Sequence, residues 1–352
     1  MRLADCEQSD HAMMRIGNRS IGPGHSVFIV AEACDNHLGD VSVAKEMVRL
    51  AKLAGADAIK FQHHLPDEEM LPDVPMSENF NEPLYEFLKK HALRIRDHAV
   101  LKEYCEDCGI MYLCTPFSYK AALELNELKV EAFKIGSGEM TDIPSLQKIA
   151  RLGKPMLLST GMSTLDEIDE TVQALKREKV DLALLNCVSE YPPVYEDINL
   201  GVIRTLQQRY PGVVIGHSDH TPDLYTSFAA VALGASIIEK HVTIDKLQPG
   251  PDQAVSIDMT ELHDLVGGIR KIEKALGSEK RVHGRERPIR EWAFRSVVSL
   301  VDIKAGQKIA GEMVWTKRPG TGIPSKRMHE VIGKTAKVNI PANTLIRWED
   351  LE

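Results

Sequence analysis

Short apolar runs separated by longer amphipathic stretches dominate the first 280 residues of the chain. Eight runs rich in Val, Ile, Leu and Ala lie at Val27–Ala33, Ala56–Phe61, Ile110–Cys114, Val130–Ile135, Pro155–Leu158, Leu182–Cys187, Val213–Ile215 and Ser236–Ile238. Stretches with helical spacing lie between them, such as Val41–Ala54, Tyr119–Glu127, Ser145–Leu152, Thr164–Glu178, Leu200–Tyr210 and Pro222–Leu233. Apolar strands that alternate with helices are typical of a buried parallel sheet.

Eight strand–helix units over about 250 residues match the size of a (β/α)8 barrel. The sequence therefore predicts an α/β fold of this type over residues 27–280, with a last helix at Met259–Leu276. A doubly wound open sheet is the alternative, but no Gly-x-Gly-x-x-Gly motif follows the first apolar run. The loop 63–81 after the second run is long enough to be a lid or a mobile segment.

The remaining segments lack this alternation. Residues 1–26 have little periodicity and are interpreted as an N-terminal extension, and residues 281–292 are interpreted as a charged linker. Residues 293–352 carry β-like runs at Ser296–Leu300 and Lys337–Ile340 between turn signals. They are expected to form a small, mostly β domain.

Charge is unevenly distributed along the chain. The net charge of −8 at pH 7 argues against nucleic acid as the main partner. Residues 281–352 contain 14 Lys and Arg against 8 Asp and Glu, a net +6, so the first 280 residues carry −14. A basic tail domain is therefore expected to dock on an acidic body, within or between chains. The alternative is that the asymmetry only reflects solvated faces.

Composition also indicates where the protein is located in the cell and how its cysteines are used. No run approaches the ~18 apolar residues of a membrane span. Asp5, Glu7 and Asp10 stand where a signal peptide would be apolar, so a cytoplasmic protein without a membrane partner is expected. Six cysteines in 352 residues do not make a disulfide framework, and Cys105 and Cys108 have no second pair at metal-ligand spacing.

Two histidines follow the last two apolar runs of the predicted barrel. His220 and His241 are 21 positions apart, about the length of one strand–helix–strand unit. Neighbouring parallel strands would bring both imidazoles to the same edge of the sheet. Two neutral imidazoles aimed at one point make a divalent metal site with open positions, suited to polarising a substrate oxygen. The alternative for either histidine alone is a satisfied surface or core residue.

Polar side chains end every apolar run, which is where the chemistry of a (β/α)8 barrel lies. In chain order they are Glu32, Lys60, Gln62, Thr115, Lys134, Ser137, Ser159, Ser189, Tyr191, Ser218, His220, Glu239 and His241. Two lysines among hydroxyl groups suit a small anion with a phosphate and a carboxylate, because lysine supplies charge and hydroxyls donate further hydrogen bonds. Any one Ser or Thr is more simply a turn residue, so the inference rests on the whole set.

Several motifs in family order carry a specific resemblance. They are Ala31-Glu32 with Asn36-His37-Leu38-Gly39, Lys60-Phe61-Gln62, Cys114-Thr115-Pro116-Phe117, Lys134-Ile135-Gly136-Ser137-Gly138-Glu139, Leu158-Ser159-Thr160-Gly161-Met162, Tyr191-Pro192, Gly216-His217-Ser218-Asp219-His220-Thr221, Glu239-Lys240-His241 and Pro249-Gly250-Pro251-Asp252. Together they resemble the bacterial sialic acid (N-acetylneuraminate) synthase family. The tail segment Lys317-Arg318-Pro319-Gly320-Thr321-Gly322 resembles the C-terminal antifreeze-like (SAF) domain of that family.

The resemblance implies a (β/α)8 barrel with an appended SAF domain in a domain-swapped homodimer. It implies condensation of phosphoenolpyruvate with N-acetylmannosamine, or a related 2-acetamido sugar, and a divalent metal, Mn2+ or Mg2+, held by His220 and His241. The positions that match phosphoenolpyruvate-binding residues are Lys60, Thr115, Lys134, Ser137, Ser159, Ser189 and Ser218. Those that match sugar-facing residues are Glu32, Gln62, Asn79, Tyr191 and Asp252, together with Arg318 delivered by the tail domain of the partner subunit.

Five of these residues are expected to be catalytic: Glu32, Lys60, Lys134, His220 and His241. Lys60 and Lys134 stabilise the anionic groups of phosphoenolpyruvate, so no nearer acid is expected to neutralise them. Glu32 is the candidate for positioning water or a sugar hydroxyl and for proton transfer. The alternative for Glu32 is an ion pair with Lys60.

Three positions on the sugar side depart from the family pattern. Cys34 stands where glycine is usual, Gln253 where histidine is frequent and Val188 where threonine is common. The sugar is therefore less determined than the reaction. N-acetylneuraminate is the expected product, with legionaminic or pseudaminic acid from a di-acetamido hexose as the alternative. Two alternatives belong to other functional classes: a metal-dependent aldolase or lyase on the same barrel, and an inactive binding protein.

Overall fold

A computed structural model describes residues 12–75, 82–248 and 250–352 of the chain. The chain divides into two compact units, the described part of Met1–Leu276 and the unit Gly277–Glu352. The first unit begins with an antiparallel hairpin of β1 (Met14–Ile16) and β2 (Arg19–Ile21).

Eight parallel strands form a closed barrel after the hairpin. They are β3 (Phe28–Glu32), β4 (Ala58–His63), β5 (Met111–Pro116), β6 (Phe133–Ile135), β7 (Met156–Ser159), β8 (Leu182–Cys187), β9 (Val214–Asp219) and β10 (Ile237–Thr243). Each strand pairs with the next, and β10 also pairs with β3, which closes the sheet. The short strand β11 (Ile257–Asp258) pairs with the end of β10. The predicted (β/α)8 architecture is confirmed.

Helices occupy the segments that connect and follow the barrel strands. They are α1 (Val41–Ala54), α2 (Pro66–Glu69), α3 (Leu84–His91), α4 (Ile95–Cys108), α5 (Tyr119–Glu127), α6 (Ile143–Ala150), α7 (Leu165–Arg177), α8 (Tyr195–Ile198), α9 (Val202–Arg209), α10 (Tyr225–Ala232) and α11 (Met259–Ala275). Local signals set their ends. The Asp40 carboxylate accepts from the Ser42 N–H at 2.7 Å before α1, and Gly55 ends that helix with a φ of 93°. The apolar helix faces pack on outward strand residues such as Ile29 and Phe61.

Inside the barrel, the inward positions change from apolar to polar toward the carboxyl ends of the strands. The apolar layers contain Phe28, Val30, Ala58, Leu113, Ala132, Leu157, Ala183, Leu185, Val214 and Ile237, all buried in one cluster. Strand side chains alternate with a period of two. The next inward positions are therefore Glu32, Lys60, Thr115, Lys134, Ser159, Cys187, Ser218 and Glu239, which are also buried. The polar residues thus form the top layer of a packed interior.

The described part of the predicted N-terminal extension, residues 12–26, contains the hairpin of β1 and β2. Met14, Ile16 and Ile21 are buried and belong to the same apolar cluster as Phe28 and Val30. They close the amino-terminal end of the barrel, where the inner layer would otherwise face water. The alternation of only three residues in each strand was too short to predict a strand from periodicity.

The second unit has a small core of its own. It contains α12 (Arg287–Ala293) and the antiparallel strands β12 (Ser296–Ser299) and β13 (Val314–Lys317). Its buried cluster is Val297, Ile303, Ile309, Val314, Ile323, Val331, Ala336, Ile340, Ile346 and Leu351. The predicted run at Lys337–Ile340 forms no strand and contributes an isolated bridge between Ile340 and Ile303.

Short 3₁₀ turns complete the elements, at Ser137–Glu139, Gln253–Val255, Gly284–Glu286, Gly311–Met313, Ser325–Glu330 and Trp348–Asp350. In the described part of the chain, no helix has both the length and the hydropathy that crossing a bilayer requires.

Candidate active site

A cavity of about 360 Å³ opens at the carboxyl ends of the barrel strands. The predicted site residues that line it are Glu32, Lys60, Gln62, Thr115, Lys134, Ser137, Ser159, Ser189, Tyr191, Ser218, His220, His241 and Asp252. Asn79 lies outside the described residues. Arg318 lies in the C-terminal unit, where its Nε donates to the Ala293 carbonyl at 3.0 Å and its guanidinium stands 5.3 Å from the Trp292 ring centre.

A larger groove of about 770 Å³ lies at the amino ends of the strands. Its charged side chains pair with each other, for example Arg19 with Asp57 at 2.9 Å and Lys102 with Glu106. These contacts satisfy its charges locally. The cavity at the carboxyl ends is therefore the candidate active site.

Two buried lysines provide positive charge in the cavity. Lys60 on β4 lies with its Nζ 2.9 Å from Thr115 Oγ1, and Lys134 on β6 lies with its Nζ 2.8 Å from Ser159 Oγ. Inward strand positions bring both ammonium groups within 4 Å of Glu239 Oε1. A small anion entering the cavity would meet two cations and their hydroxyl neighbours.

Each lysine has a carboxylate nearby, so the expectation that no acid neutralises them is wrong. Glu32 Oε2 lies 2.9 Å from Lys60 Nζ, and Glu239 Oε1 lies 3.7 Å from Lys60 Nζ and 3.3 Å from Lys134 Nζ. The reason is the alternation along β3 and β10, which turns both glutamates inward at the level of the lysines. Buried ammonium groups also require counter-charges. An incoming anion therefore competes with these two carboxylates.

Burial and the neighbouring charges set the protonation of this cluster. Burial raises the pKa of Glu32 to about 6, although the Lys60 ammonium opposes the rise. Burial would also raise the pKa of Glu239, but Lys134 and Lys60 outweigh it and the pKa is lowered. Burial lowers the pKa of Lys134, and Glu239 only partly compensates. The two lysines thus favour the ionised form of Glu239, whereas burial favours the protonated form of Glu32.

A hydrogen-bonded chain orients Glu32 from the other side. Gln62 Nε2 donates to Glu32 Oε1 at 2.9 Å, and Gln62 Oε1 accepts from His64 Nε2 at 2.9 Å. His64 Nδ1 lies 3.0 Å from Glu69 Oε1. Burial would lower the pKa of His64, but the bond to Glu69 and the charge of Asp35 raise it. The sequence reasoning missed His64, whose only signal was its position two residues after Gln62.

Hydroxyl groups crowd around Gly161 on another wall of the cavity. The Gly161 N–H donates to Ser137 Oγ at 3.2 Å. A Cβ at this position would overlap Ser189 Oγ and lie 2.7 Å from Ser137 Oγ, so glycine is what allows the two hydroxyls to converge. Ser218 Oγ donates to Glu239 Oε1 at 3.1 Å. The wall supplies several donors for anionic oxygens.

The two histidines lie side by side, as neighbouring strands β9 and β10 require. Their ring centres are 5.0 Å apart, with the planes at 76°. His220 Nδ1 lies 2.8 Å from the Val188 carbonyl oxygen, so Nδ1 carries the hydrogen, and Nε2 lies 3.5 Å from the Tyr191 hydroxyl. His241 Nδ1 is buried without a hydrogen-bond partner among the described residues. Burial lowers the pKa of His241 well below its ordinary value, so the ring is neutral, as a metal ligand must be.

Two further donor atoms stand beside His241. Cys34 Sγ lies 2.8 Å from Asp252 Oδ2, and the ligand atoms of Cys34, His241 and Asp252 all lie within 4.8 Å of one another. A divalent cation fits this set of nitrogen, sulfur and oxygen donors. Sequence reasoning assigned Asp252 to the sugar and noted Cys34 only as a replacement for glycine.

Comparisons with known proteins place this site in a family. The NeuB family profile matches residues 47–281 and the SAF domain profile matches residues 294–352. The N,N'-diacetyllegionaminic acid synthase of Legionella pneumophila is 38% identical over 96% of this chain and 98% of its own length. The N-acetylneuraminate-9-phosphate synthase of Homo sapiens is 35% identical over 94% of each chain.

A solved structure supports the same placement. The crystal structure of the N-acetylneuraminic acid (sialic acid) synthetase from Leptospira borgpetersenii serovar Hardjo-bovis matches with a TM-score of 0.73 at 35% identity. The match covers 79% of this chain and 95% of that chain. The chain therefore belongs to the NeuB family and is an enzyme of the sialic and legionaminic acid synthase group.

Proposed function

We propose that the enzyme condenses phosphoenolpyruvate with an open-chain 2-acetamido hexose, giving a nine-carbon 2-keto acid and inorganic phosphate. The observation that carries this proposal is one cavity with Lys60 and Lys134 on one wall and the imidazole pair of His220 and His241 on another. A phosphorylated carboxylate suits the lysine wall, and a polarised aldehyde oxygen suits the histidine wall.

Phosphoenolpyruvate binding is assigned to the lysines and the hydroxyls around them: Lys60, Thr115, Lys134, Ser137, Ser159, Ser189 and Ser218. In this proposal the substrate oxygens replace Glu32 and Glu239 as the nearest anions to the ammonium groups. Glu32 has a pKa of about 6, so it can take up a proton when the substrate's charge arrives. Glu239 stays ionised and limits how much negative charge the site accepts.

Carbon–carbon bond formation follows from this arrangement. The methylene carbon of phosphoenolpyruvate attacks the aldehyde carbon, and cationic character develops at the carbon that bears the phosphate. Water adds there, and the tetrahedral intermediate releases phosphate by carbon–oxygen cleavage. Glu32 positions the water or a sugar hydroxyl and holds the transferred proton. Lys60 and Lys134 stabilise the charge on the phosphate and the carboxylate throughout.

His220 and His241 are the proposed holders of a divalent metal, Mn2+ or Mg2+. When bound, such an ion supplies Lewis-acid polarisation of the aldehyde oxygen. The Val188 carbonyl fixes the His220 ring by accepting from its Nδ1, as is usual behind a metal-binding imidazole.

The sugar side is assigned to Glu32, Gln62, Tyr191 and Asp252, with Asn79 and an Arg318 from the partner subunit of a domain-swapped homodimer. This assignment assumes a barrel over residues 27–280, a linker over 281–292 and an SAF domain over 293–352, in a cytoplasmic enzyme. N-acetylmannosamine is the proposed sugar, which gives N-acetylneuraminate. A di-acetamido hexose that gives legionaminic acid is the second candidate, favoured by the 38% identity to the Legionella enzyme.

A sugar panel tests the proposal. The protein is incubated with phosphoenolpyruvate, a divalent metal and each candidate 2-acetamido or di-acetamido hexose, and phosphate release and product mass are measured. Phosphoenolpyruvate labelled with heavy oxygen at the bridging position is expected to place the label in phosphate. Product formed from pyruvate instead would support the aldolase alternative. Turnover that continues in excess chelator would remove the metal from the proposal.

A matched pair of lysine variants tests the role of the cavity lysines, on which this proposal rests. Lys134→Gln is expected to lower kcat/KM for phosphoenolpyruvate on the order of 100-fold or more, as loss of a transition-state donor does. Lys148→Gln changes an exposed lysine on α6 and should leave kcat/KM unchanged. Equal activity of the two variants would contradict the assignment of Lys134.

A further inference from the structure

We infer that Cys34 is a metal ligand in this chain and completes, with His241 and Asp252, a cation site that contains a thiolate. The inference rests on the proposed function only in placing a divalent metal at this end of the cavity. It differs from the histidine-pair expectation in the number and the chemical softness of the ligands, and it assigns Asp252 to the metal instead of the sugar.

The three donor atoms are gathered near one point. The ligand atoms of Cys34, His241 and Asp252 all lie within 4.8 Å of one another. Two ligands of one zinc ion lie at most about 4.5 Å apart, so small side-chain movements suffice to bring all three donors onto one ion. The three residues come from the end of β3, from β10 and from the segment after it, so only the barrel brings them together.

Burial makes it costly to leave the polar side chains of these three residues without a compensating charge. Cys34, His241 and Asp252 are 5%, 5% and 6% exposed. Within the described residues, the Asp252 carboxylate forms no ion pair, and its side-chain hydrogen bond comes from Cys34 Sγ. His241 Nδ1 has no partner at all in that part of the chain. A buried carboxylate beside an unpaired imidazole nitrogen requires compensation, and a cation supplies it to both.

The backbone at Cys34 gives an independent indication. Its φ is 47°, in the left-handed region that favours glycine. A residue with a side chain is strained there unless that side chain makes a compensating contact, and such strain concentrates at functional sites. The cysteine side chain is therefore retained at a backbone cost. Its contact with Asp252 at the metal cage accounts for that cost.

A thiolate changes which metal the site prefers. Sulfur is a soft ligand that favours ions such as Zn2+ and Co2+, whereas Mg2+ prefers oxygen ligands. His220 Nε2, which lies 3.5 Å from the Tyr191 hydroxyl, is a further nitrogen donor beside this site, because Nδ1 donates to the Val188 carbonyl. The site is therefore expected to bind Co2+ or Zn2+ in the presence of excess Mg2+.

Cobalt spectroscopy tests the inference without relying on turnover. Metal-free protein is titrated with Co2+, and bound cobalt and the absorption spectrum are recorded. The wild type is expected to show an intense near-ultraviolet sulfur-to-cobalt charge-transfer band that excess Mg2+ does not remove. Cys34→Gly should lose this band and bind Co2+ at least about tenfold more weakly. Glycine adopts the observed φ without strain, so the variant should fold.

Two more variants control the assignment. Cys34→Ser keeps the side-chain volume and should also lose the band. Cys187 lines the same cavity, with its Sγ 4.0 Å from His220 Nδ1, and Cys187→Ser should keep the band. Circular dichroism and thermal unfolding of each variant establish that it is folded.

The cobalt spectra and the activity measurements separate the role of Cys34 from the proposed function. A band that survives in Cys34→Gly, or that disappears in Cys187→Ser instead, overturns the inference. Cobalt bound by the wild type without a charge-transfer band also overturns it, yet leaves the histidine pair and the proposed function standing. A normal band with no product from phosphoenolpyruvate and any sugar overturns the proposed function and not the role of Cys34.

Discussion

Several carboxyl groups around the cavity are held partly protonated by their surroundings. Burial is the largest cause in each case, and it raises the pKa of Glu32 and of Asp35 to about 6 and that of Glu139 to about 7. A folded-state pKa above the unfolded value favours folding at low pH. That contribution is complete below the unfolded pKa and is lost as pH rises through the folded pKa. These residues therefore lower the folding stability of the substrate-free protein as the pH rises through their folded-state pKa values.

Glu139→Gln is expected to stabilise the substrate-free protein at about pH 8 and to change little near pH 4.5. The Glu139 Oε2 atom is buried without a hydrogen-bond partner among the described residues, and its pKa rises from 4.5 to about 7. Ionisation above pH 7 therefore costs the folded state up to about 3 kcal/mol, which a neutral amide does not incur. Urea unfolding at the two pH values measures the difference.

The exposed Glu127 at the end of α5 provides the control for this prediction. Glu127→Gln should leave the free energy of unfolding nearly unchanged at both pH values. A Glu139→Gln variant that is less stable than wild type at the higher pH would contradict the predicted sign.

At the level of elements, a buried ion pair ties β9 to β10 behind the histidines. Lys240 and Asp219 are paired in register, and Lys240 Nζ lies 3.2 Å from Asp219 Oδ2 with both side chains almost fully buried. Alternation turns these two residues away from the cavity while their neighbours His220 and His241 line it. Asp219 also accepts from Thr226 Oγ1 and Ser227 Oγ at 2.7 and 2.6 Å. The pair therefore holds both strands and α10 in one arrangement.

Asp219→Asn is expected to destabilise the protein by about 3–5 kcal/mol, because it leaves the buried Lys240 ammonium without a counter-charge. Removing both charges in Asp219→Asn/Lys240→Met should cost less than the sum of the single variants. Urea unfolding of the wild type, both single variants and the double variant measures this coupling. An exposed pair gives the comparison: Glu46→Gln, which breaks the contact with Arg49, should cost at most about 1 kcal/mol. Strict additivity would argue against the pair as the link between the strands.

At the level of the whole molecule, the basic C-terminal unit and the acidic barrel must both contribute if the sugar site is shared. Arg318 is exposed in its own unit, and its contacts there are with Ala293 and Trp292. Nothing in those contacts uses the full donor capacity of a guanidinium, which has five N–H groups. Arg318 therefore keeps N–H donors for the proposed contact with an acetamido oxygen.

Arg318→Ala is expected to raise the sugar KM by about tenfold or more, the value of a hydrogen bond to a charged group. The KM for phosphoenolpyruvate and the thermal midpoint should stay close to those of wild type, because Arg318 packs on the surface of its unit. Steady-state kinetics with each substrate varied separately, together with sedimentation to establish the dimer, measure the effect. Arg327→Ala removes another exposed arginine of this unit, which pairs with Glu330, and serves as the control. An unchanged sugar KM would count against delivery of Arg318 by the partner subunit.

Much of the fold was predictable from local pattern alone. The runs Leu182–Cys187, Val41–Ala54 and Tyr119–Glu127 coincide with β8, α1 and α5, because burial on both faces and amphipathic spacing leave direct traces in the sequence. The polar residues at the strand ends could also be predicted from the sequence to line one site. In a closed parallel barrel all carboxyl ends face one side, so a polar residue after each strand reaches one cavity.

Tertiary structure decided which of those residues touch. Cys34 and Asp252 are 218 positions apart and meet because β10 pairs with β3 where the sheet closes. The carboxylates of Glu32 and Glu239 reach the lysines because inward positions of different strands fall at one level. The apolar residues of the hairpin of β1 and β2 are buried only because the hairpin packs against the barrel interior. Sequence periodicity reports the direction of a side chain relative to its own element. Distances between elements, and with them the ion pairs and the cluster of Cys34, His241 and Asp252, depend on how the sheet closes.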